Sequence, residues 1–244
     1  MRHLAALAFL LAFLATSPSW AAPAFVQGCE SAGTVATTQA CTFGTSTTAG
    51  NAILCGTGLD ITAVAALLSA ADTSGSNTYT LLTQTANSNN VGIRQFYALN
   101  ITGGWTVVTA TYQNSSANKA VHCAEFSGLQ AFDQQAGNAQ TDPGTGTDAV
   151  TSGNITTTQA DEVLFTTSCC SPTTIIVGTN YTYIDAGPSF DQGSAYRIVS
   201  STGTYAGTWT ANNAADDFAT RIASFSALAS SCRGALMMMG AGGC

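Results

Sequence analysis

Short strand-like segments recur along almost the whole chain, and this pattern restricts it to an all-β fold. Each segment is rich in Val, Ile, Thr, Tyr or Phe and is bounded by Gly, Asn, Ser or Pro. The predicted strands are Val35–Phe43, Ala52–Cys55, Ala63–Ala71, Tyr79–Gln84, Ile93–Leu99, Thr106–Tyr112, Ala120–Phe126, Val163–Ser168, Thr174–Val177, Tyr181–Ile184, Ala195–Val199, Tyr205–Thr210 and Arg221–Ser226. Their spacing predicts an antiparallel two-sheet sandwich that is jelly-roll-like, with an immunoglobulin-like sandwich as the alternative.

The first residues of the chain predict export. Arg2 precedes the apolar run Leu4–Ala15, and the small residues Ser19 and Ala21 mark a cleavage site after Ala21. The apolar run is shorter than the roughly 20 residues that a bilayer-spanning helix needs. We therefore expect a signal peptide at 1–21, a secreted protein (with the periplasm or cell surface as alternatives), and no membrane span. Lipoprotein-type cleavage before Cys29 is disfavoured, because a polar segment separates it from the apolar run.

Composition after the signal predicts a single domain with a neutral surface. No repeat or linker is detectable, so residues 22–230 are expected to form one β-sandwich domain, followed by a tail at 231–244. Asn138–Asp148, with Pro143, is predicted to be a long surface loop. The chain carries a net charge of −7, and Lys119 is its only lysine. Nucleic acids and anionic membranes require clustered cations, so we expect neither as a partner.

Eight cysteines in an exported chain predict disulfides. They are Cys29, Cys41, Cys55, Cys123, Cys169, Cys170, Cys232 and Cys244. The chain has no Cys-x-x-Cys pair and, after the signal, one histidine, so we expect no metal and no cofactor. The favoured local pairs are Cys29–Cys41 and Cys232–Cys244, which would clasp the terminal segments. Cys55–Cys123 is the favoured cross-strand bridge, and the adjacent Cys169 and Cys170 are expected to have separate partners.

The stretch Asp72–Thr80, DTSGSNTYT, lies between two apolar runs and admits two interpretations. Its side-chain oxygens are of the kind that bind calcium, but no closing carboxylate follows before Asp133. As a turn, Asp72 would cap nearby backbone and Gly75 would take a positive φ. The turn is favoured, with a calcium ion completed by Asp60 or Asp133 as the alternative.

An ordered series of turn and core positions runs through the chain. It comprises Gly50-Asn51, Asp72, Gly75, Asn77–Tyr79, Phe96–Ala98, Asn100-Ile101, Gly103-Gly104, Thr106–Thr109, Glu125–Leu129, Asp133 and Ala223–Phe225. This series resembles an uncharacterised, widespread group of secreted β-sandwich proteins found in bacteria and in phage-associated sequences. The resemblance implies a jelly-roll-like or immunoglobulin-like sandwich and no activity. Cys55 and Gly56 depart from it by interrupting a strand that is usually continuous and valine-rich.

No residue set forms a catalytic motif. The sequence contains no Gly-x-Ser-x-Gly motif that would supply a nucleophile for His122. Alternation along the strand places His122 on one face with Ala124 and Phe126, which indicates a structural residue. The adjacent acids Asp161-Glu162 and Asp216-Asp217 point to opposite faces and make no natural pair. Glu125 with another acid such as Asp133 is kept as a minor enzyme hypothesis.

The predicted ligand surface is Tyr181, Tyr183 and Asp185. Alternation puts both tyrosines on one face, opposite Ile184, so they would point outward if Ile184 faced the core. Two outward rings can stack on a sugar whose hydroxyls Asp185 accepts. The competing interpretation, which is favoured, packs both rings under the Asn138–Asp148 loop with their hydroxyls bonded.

The function predicted from these features is a secreted, non-enzymatic binding, adhesion or display module that contacts a glycan or another cell-surface component. The first alternative is an extracellular carbohydrate-active enzyme. The second is a structural subunit of a virion or surface assembly, formed by pairing of exposed strand edges. The sequence leaves the oligomeric state open.

Overall fold

The computed structural model describes residues 22–33, 35–60, 67–87, 91–116, 118–140, 147–169, 175–185, 192–212 and 217–227. The predicted signal peptide, the tail at 231–244 with its Cys232–Cys244 pair, and Cys170 lie outside these residues. The strands are β1 (Ala24–Ala32), β2 (Ala36–Thr42), β3 (Ala52–Asp60), β4 (Leu67–Asp72), β5 (Thr80–Leu81), β6 (Thr85–Ala86), β7 (Val91–Ala98), β8 (Val107–Ser116), β9 (Lys119–Ser127), β10 (Ala131–Gln140), β11 (Thr147–Thr156), β12 (Glu162–Cys169), β13 (Ile175–Val177), β14 (Thr182–Tyr183), β15 (Gln192–Val199), β16 (Thr204–Asn212) and β17 (Phe218–Ser226).

These strands form four antiparallel sheets stacked as layers, which confirms the predicted all-β antiparallel sandwich. Sheet A has the order β1-β9-β3-β7-β5, with β6 also on β7, and sheet B has the order β2-β8-β4. Sheet C has the order β10-β17-β12-β15-β14, and sheet D has the order β11-β16-β13. Strands of A contact those of B and C, and strands of C contact those of D, so the layer order is B–A–C–D.

The strand order of the first half of the chain recurs in the second. We call residues 22–127 the N half and residues 131–226 the C half. In each half the first strand pairs with the last, the last with the third, and a three-stranded sheet covers one face. This is the order of a jelly roll. The predicted domain 22–230 therefore contains two sandwiches, and the repetition that sequence inspection missed lies in the strand order.

Sheets A and C pack face to face through a pseudo-symmetric aromatic interface. Phe25 lies edge-on to Phe126 with ring centroids 5.7 Å apart, and the equivalent Phe132 and Phe225 have the same separation and geometry. Each phenylalanine pair receives one tyrosine from the other half. Tyr196 stacks on Phe25, and the equivalent Tyr97 stacks on Phe132. Buried aromatic contacts of this kind add to the free energy of simple apolar burial.

The predicted Asn138–Asp148 loop is partly strand, because β10 ends at Gln140 and β11 begins at Thr147. Strands β1, β10 and β11 were also missed as whole elements. Their sequences contain Gly, Asn, Gln and Ser, which weaken the apolar alternation that identifies a strand. These strands form through pairing with the apolar strands β9, β17 and β16.

Candidate functional site

Tyr181 and Tyr183 do not form the outward pair that a sugar-stacking site needs. Both rings pack against the buried cluster around Trp209, between sheets C and D. The Tyr181 hydroxyl donates to the Ala206 carbonyl at 2.9 Å, and the Tyr183 hydroxyl donates to the Ile175 carbonyl at 3.1 Å. Ile184 is also buried, on the opposite face, in the A–C interface. The two rings point inward because sheet C has a packed layer on both faces.

The N half supports the same conclusion, because Tyr79 occupies the position equivalent to Tyr181. Thr80 pairs with Tyr97 in sheet A, and Thr182 pairs with Tyr196 in sheet C. Tyr79, directly before Thr80, is buried in the core between sheets A and B. Burial raises the pKa of Tyr181 to about 12, with Tyr205 adding to the rise and Arg197 opposing it.

Asp185, the third predicted ligand residue, meets His122 across the A–C interface. His122 Nδ1 lies 2.8 Å from Asp185 Oδ2 and 3.8 Å from Glu30 Oε2. The imidazole is fully buried, and its Nε2 has no hydrogen-bond partner among the described residues. The three candidate ligand atoms lie within 4.8 Å of one another. We call Glu30, His122 and Asp185 the histidine cluster. The prediction that His122 shares a face with Ala124 and Phe126 agrees with their places in this interface.

Arg221 takes the place of His122 in the C half. His122 pairs with Glu30 and Gly56, and Arg221 pairs with Gly137 and Thr167 in the same strand positions.

The Arg221 side chain bonds directly to its surroundings. Nη1 donates to Thr85 Oγ1 at 2.6 Å, and Nη2 donates to Gln135 Oε1. Burial and, to a smaller extent, the nearby positive charge of Arg94 together lower the pKa of Arg221 to about 10. The interface therefore holds a guanidinium at one of two related positions and an imidazole with two carboxylates at the other.

Glu125, the acid kept for an enzyme, is enclosed in a hydrogen-bond network. Its carboxylate is buried and accepts from the Thr48 backbone N–H at 2.8 Å, Asn51 Nδ2 at 2.6 Å and Gln27 Nε2 at 2.7 Å. Three donors satisfy a buried carboxylate and fix its position. Asp133 accepts instead from the Thr158 backbone N–H at 2.8 Å and from the Thr158 hydroxyl at 2.7 Å.

The C half reverses the positions of this acid and its neighbour. Glu162, the first residue of β12, stands where the N half has Asn51, and Ser224 stands where the N half has Glu125. Burial raises the pKa of Glu162 to about 7, with Asp133 adding to the rise and Ser224 opposing it. Burial opposes ionisation of Asp133 as well, but hydrogen bonds from Thr158 and Glu162 hold its pKa below the usual value. Sequence inspection missed this acid pair because the two residues are 29 positions apart.

The Asp72–Thr80 stretch is a turn, as favoured. Asp72 Oδ1 accepts from the Ser74 backbone N–H at 2.9 Å, and Oδ2 accepts from Asn77 Nδ2 at 2.8 Å. Gly75 has a φ of 65°. Asn77 Oδ1 also accepts from the Thr102 backbone N–H at 2.8 Å, which connects the turn to the loop between β7 and β8.

Two predicted disulfides are confirmed, and both lie in the N half. Cys29–Cys41 joins sheet A to sheet B, and Cys55–Cys123 joins neighbouring strands within sheet A. Cys169 is also disulfide-bonded, to a cysteine outside the described residues. Its expected separation from Cys170 stays a prediction.

The outward faces of sheets B and D carry rows of small hydroxyl side chains. In sheet B, Thr111 on the central strand pairs with Thr38 on one side and Ser69 on the other. In sheet D, Thr208 on the central strand pairs with Thr151. Both central strands contain Thr-x-Thr, at Thr109–Thr111 and Thr208–Thr210, in equivalent positions. No described outward-facing side chain of these two sheets is charged. We call these surfaces the threonine faces.

No family model, curated protein or solved structure matches the chain. The resemblance to secreted β-sandwich proteins therefore stays a prediction. Within the part of the chain that the structure describes, no helix is long and apolar enough to cross a membrane.

Proposed function

We propose that the protein is an exported, non-enzymatic module that binds a neutral, hydroxyl-rich polymer such as a glycan through its threonine faces. The observation that carries this proposal is the pair of uncharged Thr-x-Thr surfaces on the two outer sheets. A hydroxyl both donates and accepts a hydrogen bond, so it matches a partner that is itself covered with hydroxyls. The two disulfides are compatible with an oxidising compartment.

The geometry of a sheet gives these hydroxyls a regular spacing. Neighbouring strands lie about 4.8 Å apart, and alternate residues along a strand lie about 6.7 Å apart. Threonine is stiff at χ1, so little side-chain freedom is lost when its hydroxyl engages a ligand. The absence of charge on the described side chains of these faces favours a neutral partner over an acidic polysaccharide, because a charged partner needs opposite charges to offset its desolvation.

The hydrogen bonds of Glu125 and Asp133 support a non-enzymatic role. Glu125 is held by Gln27, Thr48 and Asn51, and Asp133 is held by Thr158. A glycosidase acid must instead face the scissile bond of its substrate.

The test is a neutral-glycan array and polysaccharide co-sedimentation with the purified chain and two matched variants. Thr109→Val with Thr111→Val removes two hydroxyls from sheet B, and Thr208→Val with Thr210→Val makes the same change on sheet D. We expect saturable binding without turnover, weakened about tenfold or more by each double variant and lost when the four changes are combined. Stability should change by less than about 0.5 kcal/mol per site, because the four threonines are exposed or partly exposed.

Other outcomes favour the alternatives. Release of shorter glycans would support a carbohydrate-active enzyme, and a concentration-dependent polymer would support a structural subunit. Binding that survives all four changes would refute the threonine faces as the binding surface.

A further inference from the structure

We infer that the histidine cluster binds a divalent transition-metal ion of the Zn²⁺ class, which clamps the N half to the C half. Its donors are one imidazole nitrogen and two carboxylates, a set that suits zinc with water as a fourth ligand. Glu30 and His122 come from the N half, and Asp185 comes from the C half. This inference is independent of the threonine faces.

The ligand atoms need only small movements to hold an ion. At zinc–ligand distances of about 2.0–2.2 Å, two ligands of a tetrahedral ion lie about 3.3 Å apart. The present separations from His122 Nδ1 are 2.8 Å to Asp185 and 3.8 Å to Glu30. Zinc would widen the first and shorten the second by about half an ångström. The Glu30 carboxylate is 35 % exposed, so it can turn inward and gives an ion a path from solvent.

The pseudo-equivalent position supplies the electrostatic argument. There the buried Arg221 guanidinium places a positive charge in the A–C interface and bonds to Gln135 and Thr85. His122 is shorter than Arg221 and lies beside two carboxylates. The N half therefore has acidic groups at the position where the C half has a positively charged side chain. A bound divalent ion would neutralise them.

The position of Asp185 is fixed by a close approach between strands. A Cβ added to Gly28 on β1 would lie 1.8 Å from the Ile184 carbonyl oxygen, so only glycine lets this carbonyl lie against β1. The next residue is Asp185, which therefore faces His122. Among the described residues the imidazole meets the two carboxylates through Nδ1, and its Nε2 has no hydrogen-bond partner.

The test uses the full chain, treated with EDTA and exchanged into chelator-free buffer, and titrated with ZnCl₂, MnCl₂ or CaCl₂ by calorimetry. We expect one site with a preference for Zn²⁺ and a rise in Tm on zinc addition, because the ion binds only when both halves are docked. Glu30→Gln and Asp185→Asn should each weaken zinc binding at least about tenfold. Asp133→Asn, which removes an acid from outside the cluster, should leave it unchanged.

The ¹⁵N chemical shift of the His122 imidazole reports zinc binding at this site and is not affected by zinc bound elsewhere on the chain. It should change on zinc addition in the wild type and stay constant in Asp185→Asn. Zinc affinity should also fall as the pH is lowered, because protons compete with the ion for its ligands. The inference is overturned if the wild type shows no saturable zinc binding, if Glu30→Gln and Asp185→Asn bind zinc as the wild type does, or if calcium is preferred.

Discussion

The N half and the C half share one strand order and stabilise it by different chemistry. In the N half, Cys55 and Cys123 face each other across neighbouring strands and are joined by a disulfide. At the equivalent positions of the C half, Thr166 faces Ile222. The Thr166 hydroxyl instead accepts from the Trp209 indole N–H at 3.0 Å and donates to the Arg221 carbonyl.

The difference extends to the volume of the cores. Trp209, which is 2 % exposed, occupies the position of Ala110 in the N half, and both are buried. The indole fills space in the C half that the N half fills partly with half-cystines. Two cores with different contents thus support the same order of strands. What the halves have in common is the alternation of buried and outward residues, and this alternation is what specifies the jelly roll.

The largest expected effect tests the covalent side of this comparison. Replacing both Cys55 and Cys123 by alanine opens a bridge that spans 68 residues, and should cost about 4 kcal/mol in the free energy of unfolding. Denaturant unfolding measures this, and hydrogen exchange with mass spectrometry should show earlier loss of protection in the N half. The matched change, Thr166→Val, should cost about 1 kcal/mol and act on the C half. Equal loss of protection in both halves would mean that they unfold as one unit.

Placing a second acid beside Glu125 in the N half, as the C half has Asp133 beside Glu162, should have the next largest effect. Asn51→Asp replaces the amide that donates to Glu125 by a second carboxylate, and should cost about 3 kcal/mol at pH 8. The cost should shrink at pH 5, because the introduced carboxyl can then be protonated and donate to Glu125. Asn51→Ala, which removes the donor without adding charge, should show a loss that does not depend on pH in this range.

Trp209→Phe tests the indole that replaces the disulfide. It removes the hydrogen bond to Thr166 and part of the buried volume, so we expect a loss of about 2 kcal/mol. Chemical denaturation gives the loss, and hydrogen exchange should place it in β11, β12 and β16. Trp105→Phe is the control in the N half. Loss of protection in β2 and β8 from Trp209→Phe would contradict the assignment of separate cores.

Glu162→Gln should have the smallest effect, and a pH series reveals it. Burial raises the pKa of Glu162 to about 7 in the folded protein, above its ordinary value of 4.5. Between these values the folded state holds more protons than the unfolded state, so stability falls as pH rises from about 5 to about 8. The variant should remove this slope, measured as Tm against pH, and raise Tm at pH 8 by about 3 °C. An unchanged slope would show that Glu162 is not the group that titrates.

Features set by neighbouring residues were predictable from the sequence. The Asp72 turn follows from hydrogen bonds within five residues. The Cys29–Cys41 pair closes a short loop. The Cys55–Cys123 pair joins two strands that were both predicted from their apolar sequences. Most predicted strands also correspond to strands in the structure.

Features set by the packing of layers were not predictable. The alternation of side chains along a strand predicts that Ile184 and Tyr183 lie on opposite faces, but it does not predict whether a second layer covers each face. His122 and Asp185 are 63 residues apart and meet only because sheets A and C dock. The repeat was hidden because few residues persist between the halves, such as Ala24-Phe25 and Ala131-Phe132.

The face of sheet A that docks on sheet C has a consequence for folding. Its first and last strands are neighbours, so the N half can close once Ser127 is available, before the C half exists. Until sheet C forms, its docking face leaves Phe25, Tyr97 and Phe126 in water. Because both halves use the same arrangement of rings, that face is self-complementary, and two chains at this stage can dock with each other. Refolding yield should therefore fall as protein concentration rises, and the three residues that link the halves favour the intramolecular partner.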